Sequence, residues 1–357
     1  MAPPPAPSVD LLDDLLGTLR EAIADVAPHW STARLQPLAD AGLAHHHVAL
    51  EGTGVLARIP KQSQLQLDAS ANLAYQEACF TRAAASGHTP ALTAVLAPRP
   101  GLPRGALLVE HIEGRAAELP RDLAAIATAL ARIHALPLPA DRAPLWDHAD
   151  PLAALDLEIR AQAAYLDEAR IDPTARALIE GELARLAELV SAPDRPERHL
   201  IAFDAHPGNF VIRPDGRAVL VDLEKCRYSY PALDLAHATL YTSTTWEPGA
   251  TTTLGPEEVS EFQSGWERMF RQAGGADPAS NWHLPLRRAM WLWSATWSAK
   301  WSVLSDRERA ESPDGEDWSA GNSTDALTVH VRERVGHYLD AATVAGILRG
   351  LGELDGA

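Results

Sequence analysis

Between His199 and Lys225 the stretch HLIAFDAHPGNFVIRPDGRAVLVDLEK carries five side chains able to do chemistry: Asp204, His206, Asn209, Asp222 and Glu224. Short apolar runs flank them, which places these groups at strand ends, where a rigid scaffold can present them from a loop. Asp204 and Asn209 lie five residues apart across that loop, and Asp222 follows the next hairpin. A carboxylate, an amide oxygen and a second carboxylate can therefore converge on one point. All three are oxygen donors, a set that suits Mg2+ rather than zinc. His206, inside the same loop, reads as a packing and hydrogen-bonding residue of the loop.

The surrounding elements must hold that island in place. Pro and Ala alternate over residues 2–7, and proline removes the amide donor a helix needs, so residues 1–8 are predicted to be a loose tail. Helix follows over 9–26, where Leu11, Leu12, Leu15, Leu16, Leu19 and Ile23 recur at helical spacing. Residues 34–60 read as three short strands, the last two joined through Gly52-Thr53-Gly54. An alanine-rich helix over 69–85 comes next, then strands in TPALTAVLAP and GALLVEHIEG. Beyond Gly114 amphipathic helices are predicted near 119–136, 150–166, 173–191, 256–273, 284–304 and 324–347, interrupted by the 199–225 island with its Pro214-Asp215-Gly216 turn.

The chain has 357 residues, enough for about two units at roughly 150 residues each. Lys plus Arg number 31 and Asp plus Glu 48, giving a formal charge of −17, which would repel a phosphate backbone and argues against nucleic acid as a partner. Cys79 and Cys226 have no CxxC neighbour, so neither a disulfide framework nor a thiolate zinc site is suggested. The opening MAPPPAPSVDLLDD has neither a basic region nor an apolar run, and no segment reaches the ~20 apolar residues that span a bilayer; a cytoplasmic protein with no membrane partner is the expectation.

Phosphoryl transfer of the protein-kinase type uses an Asp that orients the acceptor hydroxyl, an Asn five residues later and a further Asp on the metal. AFDAHPGN and VDLEK supply that set. At these residues the sequence resembles the aminoglycoside phosphotransferase and choline kinase-like family, within the protein-kinase-like superfamily, whose catalytic loop reads HGDxHxxN and whose metal segment reads DxE. The resemblance runs from about Leu35 to about Trp301. It implies a two-lobed α/β (α+β) kinase-like fold: a β-rich nucleotide-binding lobe over 9–110, a hinge at 111–114 and a helical catalytic and acceptor-binding lobe over 115–357. It implies ATP and Mg2+ as cofactors, with Asp204 catalytic and Asn209 and Asp222 on the metal. By the same resemblance Arg58 in VLARIP replaces the phosphate-binding lysine, with Lys61 three residues on as the nearest other cation. Glu77 in AYQEACF would pair with that cation, the backbone at Glu110 and Ile112 in LLVEHIEG would hold adenine, and Asp234 in YPALDLAH would brace the catalytic loop. The acceptor would be a small molecule.

Ala202 and Phe203 stand where the family has His and Gly, and Leu223 replaces an aromatic, so the reacting groups survive while a structural hydrogen bond is lost. A non-catalytic nucleotide-binding module is the reading from another class. Which acceptor is used, from an aminoglycoside or amino alcohol to a neutral sugar, stays open; the acidic segments 247–261 and 306–317 favour a cationic one. Two other patterns carry less. His45, His46 and His47 are adjacent and so alternate between strand faces, and Trp293, Trp297 and Trp301 at i, i+4 and i+8 read first as core packing.

Overall fold

Alternation along the first strands sets two faces to one sheet. The computed structural model describes residues 9–39, 42–307, 316–319 and 323–355; the 1–8 tail and most of the acidic stretch 306–317 lie outside the described residues. After helix α1 (Val9–Val26), strands β1 (Leu35–Pro37), β2 (His45–Leu50) and β3 (Val55–Pro60), helix α2 (Ala69–Ala83), and strands β4 (Leu92–Leu96) and β5 (Ala106–Glu110) follow in order. The strands form an antiparallel sheet ordered β1-β2-β3-β5-β4, with Gly52 and Gly54 at φ of 75° and 70° in the β2–β3 turn. Val48, Leu50, Val55, Ala57, Ile59, Ala106 and Leu108 pack with Leu19, Ala22 and Ile23 of α1. His45 and Arg58 face the other way, toward Gln76 and Phe80 of α2. A strand period of two thus divides apolar residues for one helix from polar residues for the other.

The chain separates into two compact units. One holds the described residues of Met1–Ala84, Pro90–Ile112 and Leu304–Val331; the other holds those of Ala85–Thr89, Glu113–Val303 and Arg332–Ala357. The described residues of 304–331 are therefore a return to the first unit, where the linear reading assigned everything after Gly114 to a second lobe. The Asp317 amide donates to Gln62 Oε1 at 2.9 Å, Gln66 Nε2 donates to Glu316 Oε2 at 3.2 Å, and Trp318 is buried.

The second unit contains β6 (Arg115–Ala116), α3 (Leu123–His134), α4 (Pro151–Ala163), α5 (Pro173–Ser191), β7 (His199–Ile201), β8 (Phe210–Ile212), β9 (Ala218–Leu220), β10 (Arg227–Ser229), α6 (Pro231–Thr239), α7 (Tyr241–Thr244), α8 (Pro256–Gln272) and α9 (His283–Leu304), then α10 (Asp325–Tyr338) and α11 (Ala341–Asp355). Small ladders β6-β8-β9 and β7-β10 make the island. Asp150 and Asp172 cap α4 and α5 through backbone amides, each with proline in the first turn. The single helix expected over 324–347 is two. Asp340 accepts from the amides of Ala342 and Thr343 at 3.0 and 3.1 Å and so starts α11 where α10 has ended. Among the described residues no helix is long and apolar enough to cross a membrane, and both cysteines are buried.

Gly105 enters β5 at φ 65°, and a Cβ there would collide with the Leu96 carbonyl oxygen and come within 2.9 Å of Leu73 Cδ2. Both a left-handed backbone and a backbone clash oppose any side chain. Gly105→Ala is expected to cost about 2–4 kcal/mol of stability, read as a lowered urea midpoint; an unchanged midpoint would show that β4 gives way freely.

Candidate active site

The loop between β7 and β8 is fixed from beneath by one carboxylate. Asp234 on α6 is fully buried; its Oδ2 accepts from the Ala202 amide at 2.7 Å and its Oδ1 from the Phe203 amide at 2.8 Å. His134, at the end of α3, lies with Nε2 3.0 Å from Asp234 Oδ2, and its Nδ1 accepts from the Trp266 indole at 3.0 Å. Because an indole nitrogen only donates, Nδ1 is the acceptor and Nε2 carries the proton given to Asp234. The brace reaches the loop backbone, so Ala202 in place of a histidine leaves it intact.

Phe203 adopts φ 60°, which explains glycine at this place in the resembling family and puts strain on a phenylalanine. Its ring is clamped. The Arg227 guanidinium lies 3.6 Å from the ring centroid and Trp293 packs edge-on at 5.3 Å. Glu158 on α4 ties both clamps together, accepting from Arg227 Nη1 at 3.0 Å and from Trp293 Nε1 at 2.8 Å. Trp293 is therefore core, as read, and also a wall of the loop.

Asp204 follows directly. Its Oδ2 receives Lys225 Nζ at 2.8 Å, and His237 Nδ1 lies 3.7 Å from Oδ1. Burial is the largest influence on the Asp204 pKa and would raise it, but Lys225 first, with His206 and His237, together hold the carboxyl below the ordinary aspartate value. Burial pushes His237 down to about 4, so it is neutral at pH 7 and Lys225 is the cation that counts. Burial likewise opposes the charge on Lys225, yet Asp204 and Glu224 raise its pKa above the ordinary lysine value.

Asn209 donates its side-chain nitrogen to the Asp204 carbonyl at 2.8 Å, which turns the amide oxygen to the opposite side. Its own carbonyl accepts from the Val221 amide at 2.9 Å, tying the loop to the residue before Asp222. Asp222 and Glu224 present carboxylate oxygens within 4.8 Å of one another. The second unit thus gathers Asp204, Asn209 and Asp222 on two linked loops, with Glu224 beside them. Two carboxylates and an amide oxygen fit a hard divalent cation such as Mg2+.

The first unit holds the other residues singled out. Arg58 is buried, with Nη2 3.4 Å from His45 Nδ1 and its guanidinium 5.5 Å from the Phe80 ring centroid. Lys61 donates to the Gly42 carbonyl at 2.9 Å. Glu77 does not meet Arg58: it is exposed on α2, and Gln76 one residue earlier is buried and bonds His45 Nε2 at 3.0 Å. At 100° per residue, α2 turns positions 73, 76 and 80 toward the sheet and 77 away from it. Glu110 gives its amide to the Ala91 carbonyl at 2.8 Å, so it has only acceptor groups to offer a base. Ile112 makes no backbone hydrogen bond among the described residues.

Comparison with known proteins places the chain. The model of the phosphotransferase enzyme family matches residues 40–273. This chain belongs to the phosphotransferase enzyme family. No curated protein matches it. Among solved structures this phosphotransferase is similar to choline kinase LicA from Streptococcus pneumoniae, at 16% identity and TM-score 0.54, covering 95% of this chain and 99% of that one. It is similar also to an ethanolamine kinase from Plasmodium vivax, at 13% identity and TM-score 0.57, covering 93% and 90%. A third is a thermostable mutant of aminoglycoside phosphotransferase APH(4)-Ia, at 15% identity and TM-score 0.54, covering 92% and 98%. At these identities the likeness is one of fold, the protein-kinase-like α/β architecture.

Lys225 ends the VDLEK segment without a role that the sequence alone assigns; its place beside the DxE pattern is the one local signal for it. Glu158, Arg227 and His237 offered none, because their contacts with the loop come from α4, β10 and α6. Lys225→Met leaves Asp204 with burial and no buried cation. Its pKa is then expected to rise, moving the acid limb of the pH–kcat profile upward by more than about one unit. An acid limb unchanged in position would remove Lys225 from control of Asp204.

Proposed function

We propose that this phosphotransferase moves the γ-phosphoryl group of ATP, in a Mg2+-dependent reaction, to a hydroxyl of a small molecule that carries an amine. The observation that carries the reading is the Asp204 carboxylate, kept ionised by Lys225 on a loop that Asp234 pins. Asp204 orients the acceptor hydroxyl and takes its proton as the new phosphate ester forms; a carboxyl of lowered pKa then releases that proton to water. Little basicity is needed, because phosphoryl transfer proceeds through a loose transition state governed by positioning and charge. Asn209 and Asp222, with Glu224 adjacent, are the metal ligands, and Mg2+ when bound neutralises charge on the phosphates. Arg58 is the phosphate-binding cation of the first unit, and the backbone of Glu110 and Ile112 holds the base.

The acceptor class rests on Glu247. It is partly exposed and lies so close to the catalytic loop that a Cβ at Gly208 would collide with its carboxylate; its Oε1 is 3.9 Å from His206 Nδ1. Trp246 beside it packs edge-on with Trp297 at 5.9 Å and stacks with Tyr338 at 6.4 Å. A partly exposed carboxylate at the edge of this loop suits a cation. Together with the −17 charge of the chain it favours an amine-bearing alcohol over a neutral sugar.

Mg2+-dependent ADP release with a panel of amino alcohols, aminoglycosides and neutral sugars tests the function. Asp204→Ala is expected to lower kcat by at least about a hundredfold while nucleotide affinity stays near wild type. Turnover within about tenfold of wild type would displace Asp204 from its role.

The acceptor class has its own test. The KM of the best acceptor is expected to rise as salt shortens the Debye length from ~10 Å at 0.1 M to ~3 Å at 1 M. Glu247→Gln should raise that KM about three- to tenfold with little change in kcat. A neutral best acceptor with a flat salt response would assign the acidic surface to solubility alone.

A further inference from the structure

We infer that the second unit carries another ligand site, a cavity that takes a small carboxylate with an apolar body. The cavity has a volume of about 510 Å3, within the ~300–1,000 Å3 range of small-molecule sites, and it lies among the end of α6, the start of α8, α9 and α11. None of its lining residues belongs to the Asp204 cluster. Leu254, Val259, Ile347 and Leu351 give it apolar walls.

Arg287 lines it and supplies the specificity. This arginine is 5% exposed, and its only hydrogen bonds among the described residues go to neutral oxygens: Nη1 to Thr239 Oγ1 at 2.6 Å and Nη2 to the Thr239 carbonyl at 2.9 Å. Its Nε is buried without a partner, and no carboxylate of the described residues pairs with it. Glu353, the one acid lining the cavity, is exposed. Burial draws the guanidinium down to about 10, which still leaves it charged at neutral pH. A buried charge without a counter-ion is costly, and a carboxylate is its natural complement, since it can accept from a planar guanidinium edge.

Helix α11 clears the room. Gly346 and Gly350 line the cavity in the helix interior, where glycine is disfavoured relative to alanine. A Cβ at Gly350 would meet nothing within 4 Å, and one at Gly346 would meet only Arg349 Nη2 at 3.7 Å. Space, apolar walls and an uncompensated buried cation coincide in one cavity.

The test uses the full chain with benzoate, hexanoate and octanoate against the matching neutral amides, followed by calorimetry and by thermal unfolding. At least one carboxylate is expected to bind and to raise the Tm, with an affinity about tenfold or more above its amide. Gly350→Leu, whose Cβ would meet nothing within 4 Å, should weaken binding at least about tenfold while the free protein still melts cooperatively. Arg287→Met should erase the preference for carboxylate over amide; should it fail to fold because the Thr239 contacts are lost, Gly350→Leu decides the matter. No carboxylate binding by the wild type, equal affinity for carboxylate and amide, or unchanged affinity in Gly350→Leu would overturn the site and leave Arg287 as a cap on the end of α6.

Discussion

Everything in the loop that carries Asp204 hangs from the buried carboxylate of Asp234. Two successive backbone amides of the loop donate to its two oxygens, and His134 donates from the other side. A carboxylate with no exposure is tolerable only when donors saturate it, and here every donor belongs to an element the site needs: the loop itself, the end of α3 and, through His134, Trp266 of α8. Adjacent amides reaching one carboxylate also fix the backbone angles at Ala202 and Phe203. Position and direction of Asp204, the next residue, follow from that.

The brace has a conformational cost, and the loop shows where it is met. Phe203 sits in a backbone region that glycine occupies freely, and an aromatic ring there must be held by its surroundings. Arg227 and Trp293 hold it on two sides, both anchored by Glu158. Replacing glycine by phenylalanine thus trades backbone ease for a packed, cation-covered ring. The same Trp293 lies with its ring centroid 5.5 Å from Lys225 Nζ, so the clamp on Phe203 and the ion pair on Asp204 share a side chain.

Charge within the site is arranged by burial as much as by pairing. Lys225 and Asp204 each oppose the desolvation of the other, while His237, equally buried, loses its proton affinity and stays neutral. In the first unit Glu77, the residue expected beside Arg58, is exposed on α2. Arg58 approaches His45, itself bonded to Gln76, on the face where Glu77 was predicted to stand. Elsewhere in the second unit Arg287 shows the extreme of the same economy of partners, a guanidinium met only by neutral oxygens.

By itself the sequence determined the order of strands and helices over the first 110 residues, the β2–β3 and β8–β9 hairpins, and the close spacing of Asp204, Asn209 and Asp222 on linked loops, because periodicity, turn chemistry and short spacings act within a few residues of each other. It also carried the family, through AFDAHPGN and VDLEK. Tertiary structure alone decided which neighbours those residues meet. Whether position 76 or 77 faces Arg58 depends on the rotation of α2 against the sheet, and the return of 304–331 to the first unit depends on contacts more than 240 residues apart, such as that of Asp317 with Gln62. Lys225 became part of the site, and Arg287 the lining of a cavity, for the same reason: ionisation and partnership depend on burial and on groups brought in from other elements, and no local spacing encodes them.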